Sequence, residues 1–318
     1  MNRKSMLFVG FFCLVAFLLG GSSVYGKQPT HFAKQSGYYI NTDTGVTIYT
    51  VEKKHKNHEP KGAVLLIHGF GIGYAYYDLE IKDYSMVEFL ARRGFDVYAI
   101  DQRGYGESTR VNGLTVRAEQ SVDDLKSVVD FIKRRTKAKK INIAGHSWGG
   151  VVATVFAGRY QDDVERLILI GTPYQALPKA YGDRMAPLIA MIKTLGIQYI
   201  PNTHHLTIAD TLFSYEQEVI ELYQDWVNRK YSEVPSGLLL DLENFEHARY
   251  VPQITVPTLL INGENEYVVD FQDAMNCLHD LGSEEKDMLV LGNSSHLIFL
   301  EELAHRRLNE AVFGWFSR

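Results

Sequence analysis

Short, almost wholly apolar runs alternate along this chain with longer amphipathic stretches. Residues 63–68, 95–101, 141–145, 166–170, 258–262 and 287–291 are such runs, rich in Val, Ile and Leu. A strand with one face in water alternates apolar and polar positions, whereas a strand covered on both faces of a parallel sheet reads as a continuous apolar run. Between the runs, residues 84–93 and 122–135 have helical spacing, and Ser121 and Asp124 stand in capping-box spacing where the second opens. Residues 38–53 read as a hairpin, because Asn41-Thr42-Asp43-Thr44-Gly45 supplies turn chemistry between two runs rich in Tyr, Ile, Val and Thr. The alternation predicts an α/β fold, a mostly parallel sheet with helices on both faces, whose reactive residues sit at the carboxyl ends of strands.

Two regions depart from this pattern. Residues 174–250 show no buried strand; Pro178, Pro201 and Pro235 punctuate aromatic-rich helical segments such as 214–229. They are expected to form a helical cap insertion over the strand ends, leaving residues 27–173 and 251–318 as the core. At the other departure, Arg3 and Lys4 precede an apolar run from Met6 to Leu19, followed by small residues up to Gly26. That is the layout of a secretory signal peptide, shorter in its apolar part than a membrane span of roughly 20 residues. Residues 1–26 are therefore expected to direct export, to a secreted or periplasmic location, with membrane anchoring as the alternative if the segment is retained. Cys13 lacks the context of a lipidated cysteine, and without the leader Cys277 stands alone, with no disulfide partner.

Composition adds little beyond exclusion. At 46% hydrophobic and 22% charged residues the chain has the makeup of a globular enzyme, and a formal charge of -5 gives no overall reason to bind nucleic acid. The basic run Lys133, Arg134, Arg135, Lys137, Lys139 and Lys140 reads as a solvated helix end that suits the helix dipole. Neither His204-His205 nor His55 with His58 has the supporting ligands that a metal needs.

The chemistry is carried by Gly145-His146-Ser147-Trp148-Gly149-Gly150, between an apolar run and a helical one. A strand–turn–helix with this Gly-x-Ser-x-Gly sequence is a nucleophile elbow, in which flanking glycines relieve crowding and lift the serine above the sheet. A serine hydroxyl needs a base, and the base needs a carboxylate to hold it. His296 follows the last apolar run and stands at the carboxyl edge of the sheet, better placed than His68, His146 or His279. After the 258–262 run three carboxylates crowd one loop. Glu266 is taken as the acid, while Glu264 alternatively braces the turn and Asp270 caps a helix beginning near Phe271.

Taken in order, His68-Gly69-Phe70-Gly71, the segment from Asp101 to Ser108, Gly145 to Gly149, Gly263 to Val269 and His296 to Glu301 resemble the α/β-hydrolase superfamily in its esterase/lipase-like branch. The resemblance spans nearly all of residues 60–318. It departs at Glu266, where relatives usually carry Asp, and at Ser295, where a Gly commonly precedes the histidine. It implies an oxyanion hole formed by the backbone N–H groups of Phe70 and Trp148, whose side chains either line an apolar pocket or pack elsewhere. The 101–108 segment, with turns at Gly104 and Gly106, is expected to shape a loop near the site. The implied activity is hydrolysis of a small-molecule carboxylic ester, uncharged or bearing an acyl chain, through an acyl-enzyme and without a cofactor. Alternatives are another reaction on the same three residues (peracid formation, or C–C, amide or thioester cleavage), or a non-catalytic binding protein on this fold.

Overall fold

The hairpin forms where the sequence alternates: β1 (Ala33–Asn41) and β2 (Thr47–His55) pair antiparallel, from Ala33 opposite His55 to Asn41 opposite Thr47. Gly45, at φ 78°, and a hydrogen bond from Thr42 N–H to the Val46 carbonyl make the reversal. This is a computed structural model, and it describes residues 33–55, 60–203 and 208–318. Residues 1–26, expected to direct export, and His58, His204 and His205 lie outside the described residues.

The remaining elements are β3 (Ala63–Ile67), α1 (Met86–Arg92), β4 (Asp96–Ile100), α2 (Ala118–Thr136), β5 (Ile141–His146), α3 (Trp148–Arg159), β6 (Val164–Ile170), α4 (Lys179–Leu195), β7 (Tyr199–Pro201), α5 (Gln217–Lys230), β8 (Glu233–Pro235), α6 (Gly237–Asn244), β9 (Thr258–Asn265), α7 (Phe271–Asp280), β10 (Lys286–Ser295) and α8 (Ala304–Phe316). Eight strands form one sheet in the order β1-β2-β4-β3-β5-β6-β9-β10. β1, β2 and β4 pair antiparallel; every pairing from β4 through β3 to β10 is parallel. The continuous apolar runs occupy the middle of this sheet, where every residue of β3 and β5 is buried. α1 packs with α8 as one layer and α2 with α3 as another, so the strands need no polar face.

Several boundaries differ from the sequence reading. α2 begins at Ala118, so Ser121 and Asp124 lie inside the helix and form no capping box. Asp124 is instead buried, accepting from Arg103 Nε at 2.5 Å, and the helix start is capped from afar by Asp241, which accepts the Ala118 N–H at 2.9 Å. α1 starts at Met86, because Ser85 accepts the Glu88 N–H and fixes the first turn. The last strand continues through a register shift to Ser295, and the helix expected from Phe299 begins at Ala304 after a short 3-10 turn at Ile298–Leu300.

The 174–250 segment holds helices α4, α5 and α6, and also a strand pair that the pattern did not reveal. β7 and β8 pair antiparallel through only three residues each, too few to establish a period, with Tyr199 opposite Pro235. The basic run also departs from a plain solvated helix end. Arg135 donates to both carboxylate oxygens of buried Glu52 at 2.7 and 2.9 Å, and Lys133 pairs with Asp163. Tyr98 and Tyr38 donate to Glu52 as well, so its carboxylate is fully engaged and its pKa is lowered despite burial. Cys277 is buried in α7, where loss of solvent pushes its thiol up to about 12 and leaves it a packing residue.

Candidate active site

Ser147 sits between β5 and α3 at φ 53° and ψ -123°, a left-handed conformation that an L-residue adopts at a cost of about 1–3 kcal/mol. Its surroundings hold it there. Its N–H donates to the Ile170 carbonyl at 2.8 Å, and its own carbonyl accepts the Gly150 N–H at 2.9 Å. A Cβ on Gly149 would run into the carbonyl oxygens of Ile67 and His68, so the elbow packs against the end of β3 only with glycine at that position.

His296 directly follows β10 and is buried. Its Nδ1 faces both oxygens of the Glu266 carboxylate, at 2.8 and 3.0 Å. Glu266 Oε1 also accepts the N–H groups of Tyr267 and Val268 at 3.0 and 2.9 Å, which locks the carboxylate into its own loop. The neighbouring carboxylates are otherwise employed. Glu264 accepts the Asn293 N–H at 2.8 Å, bracing the bulged end of β10, and Asp270 caps α7 through the N–H groups of Gln272 and Asp273. Gly171, at φ 51° after β6, lies under the pair: a Cβ there would come within 3.0 Å of His296 Nδ1 and 3.1 Å of Glu266 Oε2.

Ser147 and His296 line one cavity of about 590 Å³, together with Gly69, Phe70 and, from the insertion, Met185 and Leu188. The backbone of the Gly69–Phe70 turn is fixed from behind. His68 Nδ1 donates to the Gly69 carbonyl at 2.7 Å while its Nε2 accepts the Gln102 N–H at 3.0 Å, which requires a neutral ring. Burial agrees, holding the His68 imidazole at about 4. Tyr105 donates to the Phe70 carbonyl at 3.0 Å, which anchors that carbonyl. Trp148 is the first residue of α3, so its N–H has no acceptor within the helix. Its side chain does not line the cavity: the indole is buried and donates to Asp241 at 3.0 Å, tying the elbow to α6. Phe70, by contrast, does line it.

The 101–108 loop sits beside this turn. Asp101 is fully buried and accepts the N–H groups of Tyr74 and Glu107 and the hydroxyl of Tyr231, at 2.9, 3.0 and 2.9 Å. Gly104 and Gly106 both have positive φ there, which lets the chain fold around the carboxylate.

Three contributors were not assigned a role from the sequence. His146 was visible only as the elbow neighbour, yet its Nε2 donates to the His296 carbonyl at 3.0 Å and its ring stacks on Tyr76 at 5.0 Å. Burial holds this imidazole far below its ordinary range, and proximity to His296 acts in the same direction. Glu301, fully buried, accepts the N–H groups of Ser295 and Phe213 on one oxygen at 2.9 and 3.0 Å. Tyr267 stands edge-on to the His296 ring at 5.6 Å. Of these, Glu301 carried the one available hint, as the last residue of the His296–Glu301 stretch.

A parallel sheet entered by an antiparallel hairpin, with a serine elbow after its central strand and a histidine after its last, defines an α/β-hydrolase. A family model described as serine aminopeptidase, S33 matches residues 58–303, and the chain belongs to that family. Over 279 residues it is 25% identical to the AB hydrolase superfamily protein YisY of Bacillus subtilis, covering 84% of this chain and 94% of that protein. It is 23% identical over 248 residues to a monoacylglycerol lipase of Mycolicibacterium smegmatis, covering 76% and 84%. The crystal structure of a soluble variant of monoglyceride lipase from Saccharomyces cerevisiae shares the fold, with a TM-score of 0.73 at 17% identity over 92% of this chain and 97% of that one.

Proposed function

We propose that this hydrolase cleaves carboxylic esters through an acyl-enzyme, with Ser147 as nucleophile, His296 as general base and acid, and Glu266 as the carboxylate that orients the histidine. The observation that carries the reading is the His296 Nδ1–Glu266 contact at 2.8 Å at the edge of the cavity that also holds Ser147. With Nδ1 committed to Glu266, Nε2 is the nitrogen left to accept the serine proton. Ser147 Oγ then adds to the ester carbonyl, and the negative charge on the carbonyl oxygen is met by the N–H groups of Phe70 and Trp148. Each such donor is worth about 3 kcal/mol of barrier. His296 returns the proton to the departing alkoxide, releasing the alcohol; it then deprotonates water, whose attack on the acyl-serine frees the acid and regenerates Ser147.

The family description raises amide cleavage at a peptide N-terminus as a second reading. A free α-ammonium needs a carboxylate in the pocket, and among the described residues no Asp or Glu lines this cavity, whereas Met185, Leu188, Met191 and Ile200 do. Those walls favour an acyl chain, and the lipase relatives support an ester of that kind.

The test is labelling of the purified protein with a fluorophosphonate, followed by digestion and mapping, alongside hydrolysis of p-nitrophenyl esters of graded chain length. Label on Ser147 that is lost in Ser147→Ala and His296→Ala, together with ester turnover, is the expected result. A folded protein that neither labels nor turns over esters would overturn the proposal and leave the binding-protein reading.

A further inference from the structure

Among the described Lys and Arg residues of the insertion, one has no carboxylate partner. Lys179 pairs with Asp183, Lys193 with Glu243, Arg229 with Asp225, Lys230 with Glu107 and Arg249 with Glu119. Arg184, on α4, has no carboxylate partner among the described residues, and it lines the cavity. Its guanidinium lies 5.1 Å from the centroid of the Tyr181 ring. Tyr181 faces Tyr267 at 6.4 Å, and Tyr267 in turn stands 5.6 Å from the His296 ring. Both tyrosines line the cavity, so the Arg184 charge belongs to the same chamber as the reacting groups. Burial raises the hydroxyl pKa of both tyrosines, and the nearby Arg184 charge opposes that rise.

We infer that the cavity selects an ester carrying an anionic group, a carboxylate or a phosphate, held by Arg184 away from the scissile carbonyl. The inference rests on the ester-hydrolase reading and refines it: neutral acyl chains account for the apolar walls but not for the unpaired guanidinium. A planar guanidinium presents paired N–H donors that match the two oxygens of a carboxylate or phosphate. Tyr181 and Tyr267 come between the guanidinium and His296 in this run of ring contacts, so the inference places the anion on the far part of the acyl chain or on the alcohol, not beside the ester. Arg184 is exposed, which caps the effect at the scale of a solvent-screened pair.

The experiment compares kcat/KM for matched neutral and anionic esters in the full-length protein, in Arg184→Ala and in Arg184→Glu. One arm places a carboxylate on the acyl side, p-nitrophenyl hexanoate against the p-nitrophenyl monoester of adipic acid. The other places a phosphate on the alcohol side, 1-butyrylglycerol against 1-butyrylglycerol 3-phosphate. Arg184→Ala is expected to lower kcat/KM for the anionic ester about fivefold relative to its neutral partner, at low salt, and Arg184→Glu to lower it further. Added salt should shrink the wild-type preference. The arm that responds identifies the anion. An anionic-to-neutral ratio unchanged by either substitution in both arms overturns the inference while neutral turnover keeps the hydrolase reading intact. Absence of turnover on the neutral esters as well, with no fluorophosphonate labelling, brings down the hydrolase reading and this inference with it.

Discussion

His146 donates its Nε2–H to the main-chain oxygen of His296 at 3.0 Å, so the residue before the elbow serine holds the backbone of the histidine proposed as its base. The two come from β5 and from the end of β10, strands that are not neighbours in the sheet. His146 Nδ1 has no partner among the described residues, and burial keeps the ring neutral, which suits a donor of one proton to one carbonyl.

Replacing His146 therefore acts on His296 through its backbone. His146→Ala is expected to lower kcat about five- to tenfold with little change in KM, the scale of one hydrogen bond near 1 kcal/mol. His146→Gln carries an amide N–H that can reach the same carbonyl, and should recover part of the loss. Steady-state kinetics on a short p-nitrophenyl ester, read beside thermal unfolding, decide it: equal kcat in the two variants would mean that the ring only fills space.

The three carboxylates of the 264–270 loop separate sharply by mutation. Glu266→Gln leaves an amide where His296 needs an anion, and kcat/KM should fall by about a thousandfold or more, as loss of the charge strands the imidazole in the wrong tautomer. Glu264→Gln and Asp270→Asn disturb a turn and a helix cap, and should stay within about threefold. Fluorophosphonate labelling rates of the three variants give the same ranking without dependence on substrate choice. A Glu266→Gln protein that labels at the wild-type rate would remove Glu266 from the mechanism.

How much of this was readable beforehand follows from the range over which each feature is determined. The strands β3 and β5 announce themselves because burial on both faces leaves no polar position between Ala63 and Ile67, and few in the elbow strand. Ser147 is legible because its elbow is a local steric problem solved by glycines next to it. His296 follows from chain order. By contrast, Asp241 capping α2 and receiving the Trp148 indole depends on residues about a hundred positions apart, and neither α2 nor α6 shows a period that reports it. The Ser121–Asp124 box misled for the same reason: Asp124 had a better partner in Arg103, and the helix start had a better cap in Asp241. β7 and β8 are three residues each, below the length at which alternation means anything.

Acid should loosen the protein through its buried histidines. His68 is held at about 4 by burial, against an ordinary value near 6.5. Between these values the unfolded chain binds the proton and the folded one does not, so stability rises with pH across the window. The contribution of neutral His68 is complete above about pH 6.5 and is withdrawn as pH falls toward 4, by up to roughly 3 kcal/mol. His146 adds in the same direction. Urea unfolding of wild type and His68→Gln at pH 7, 6 and 5 should show a stability gap that narrows as pH falls. A gap constant with pH would contradict the assignment.

Glu301 joins the insertion to the histidine through a single oxygen. Its Oε1 accepts the N–H of Ser295, adjacent to His296, and the N–H of Phe213, which leads into α5, while Oε2 has no partner among the described residues. Seating of the 208–216 stretch and of the histidine loop thus draws on the same acceptor, reinforced by Glu302 N–H on the Ser214 carbonyl. Glu301→Gln retains an oxygen for both donors and places its NH₂ where Oε2 had no bond, so kcat and melting temperature should stay close to wild type. Glu301→Ala strands both N–H groups, at a cost of about 1–3 kcal/mol for each that is buried. For a chain of this size that is a drop of several degrees, on the order of 2–4 °C per kcal/mol. It should also lower kcat about tenfold, the scale of about 1.4 kcal/mol, as the His296 loop gains freedom. Hydrogen exchange resolves the coupling: faster exchange in both 208–216 and 293–299 in Glu301→Ala, and in neither in Glu301→Gln, is the expected pattern. Faster exchange on one side alone would show that the two segments are held independently, and that the shared oxygen is a coincidence of packing.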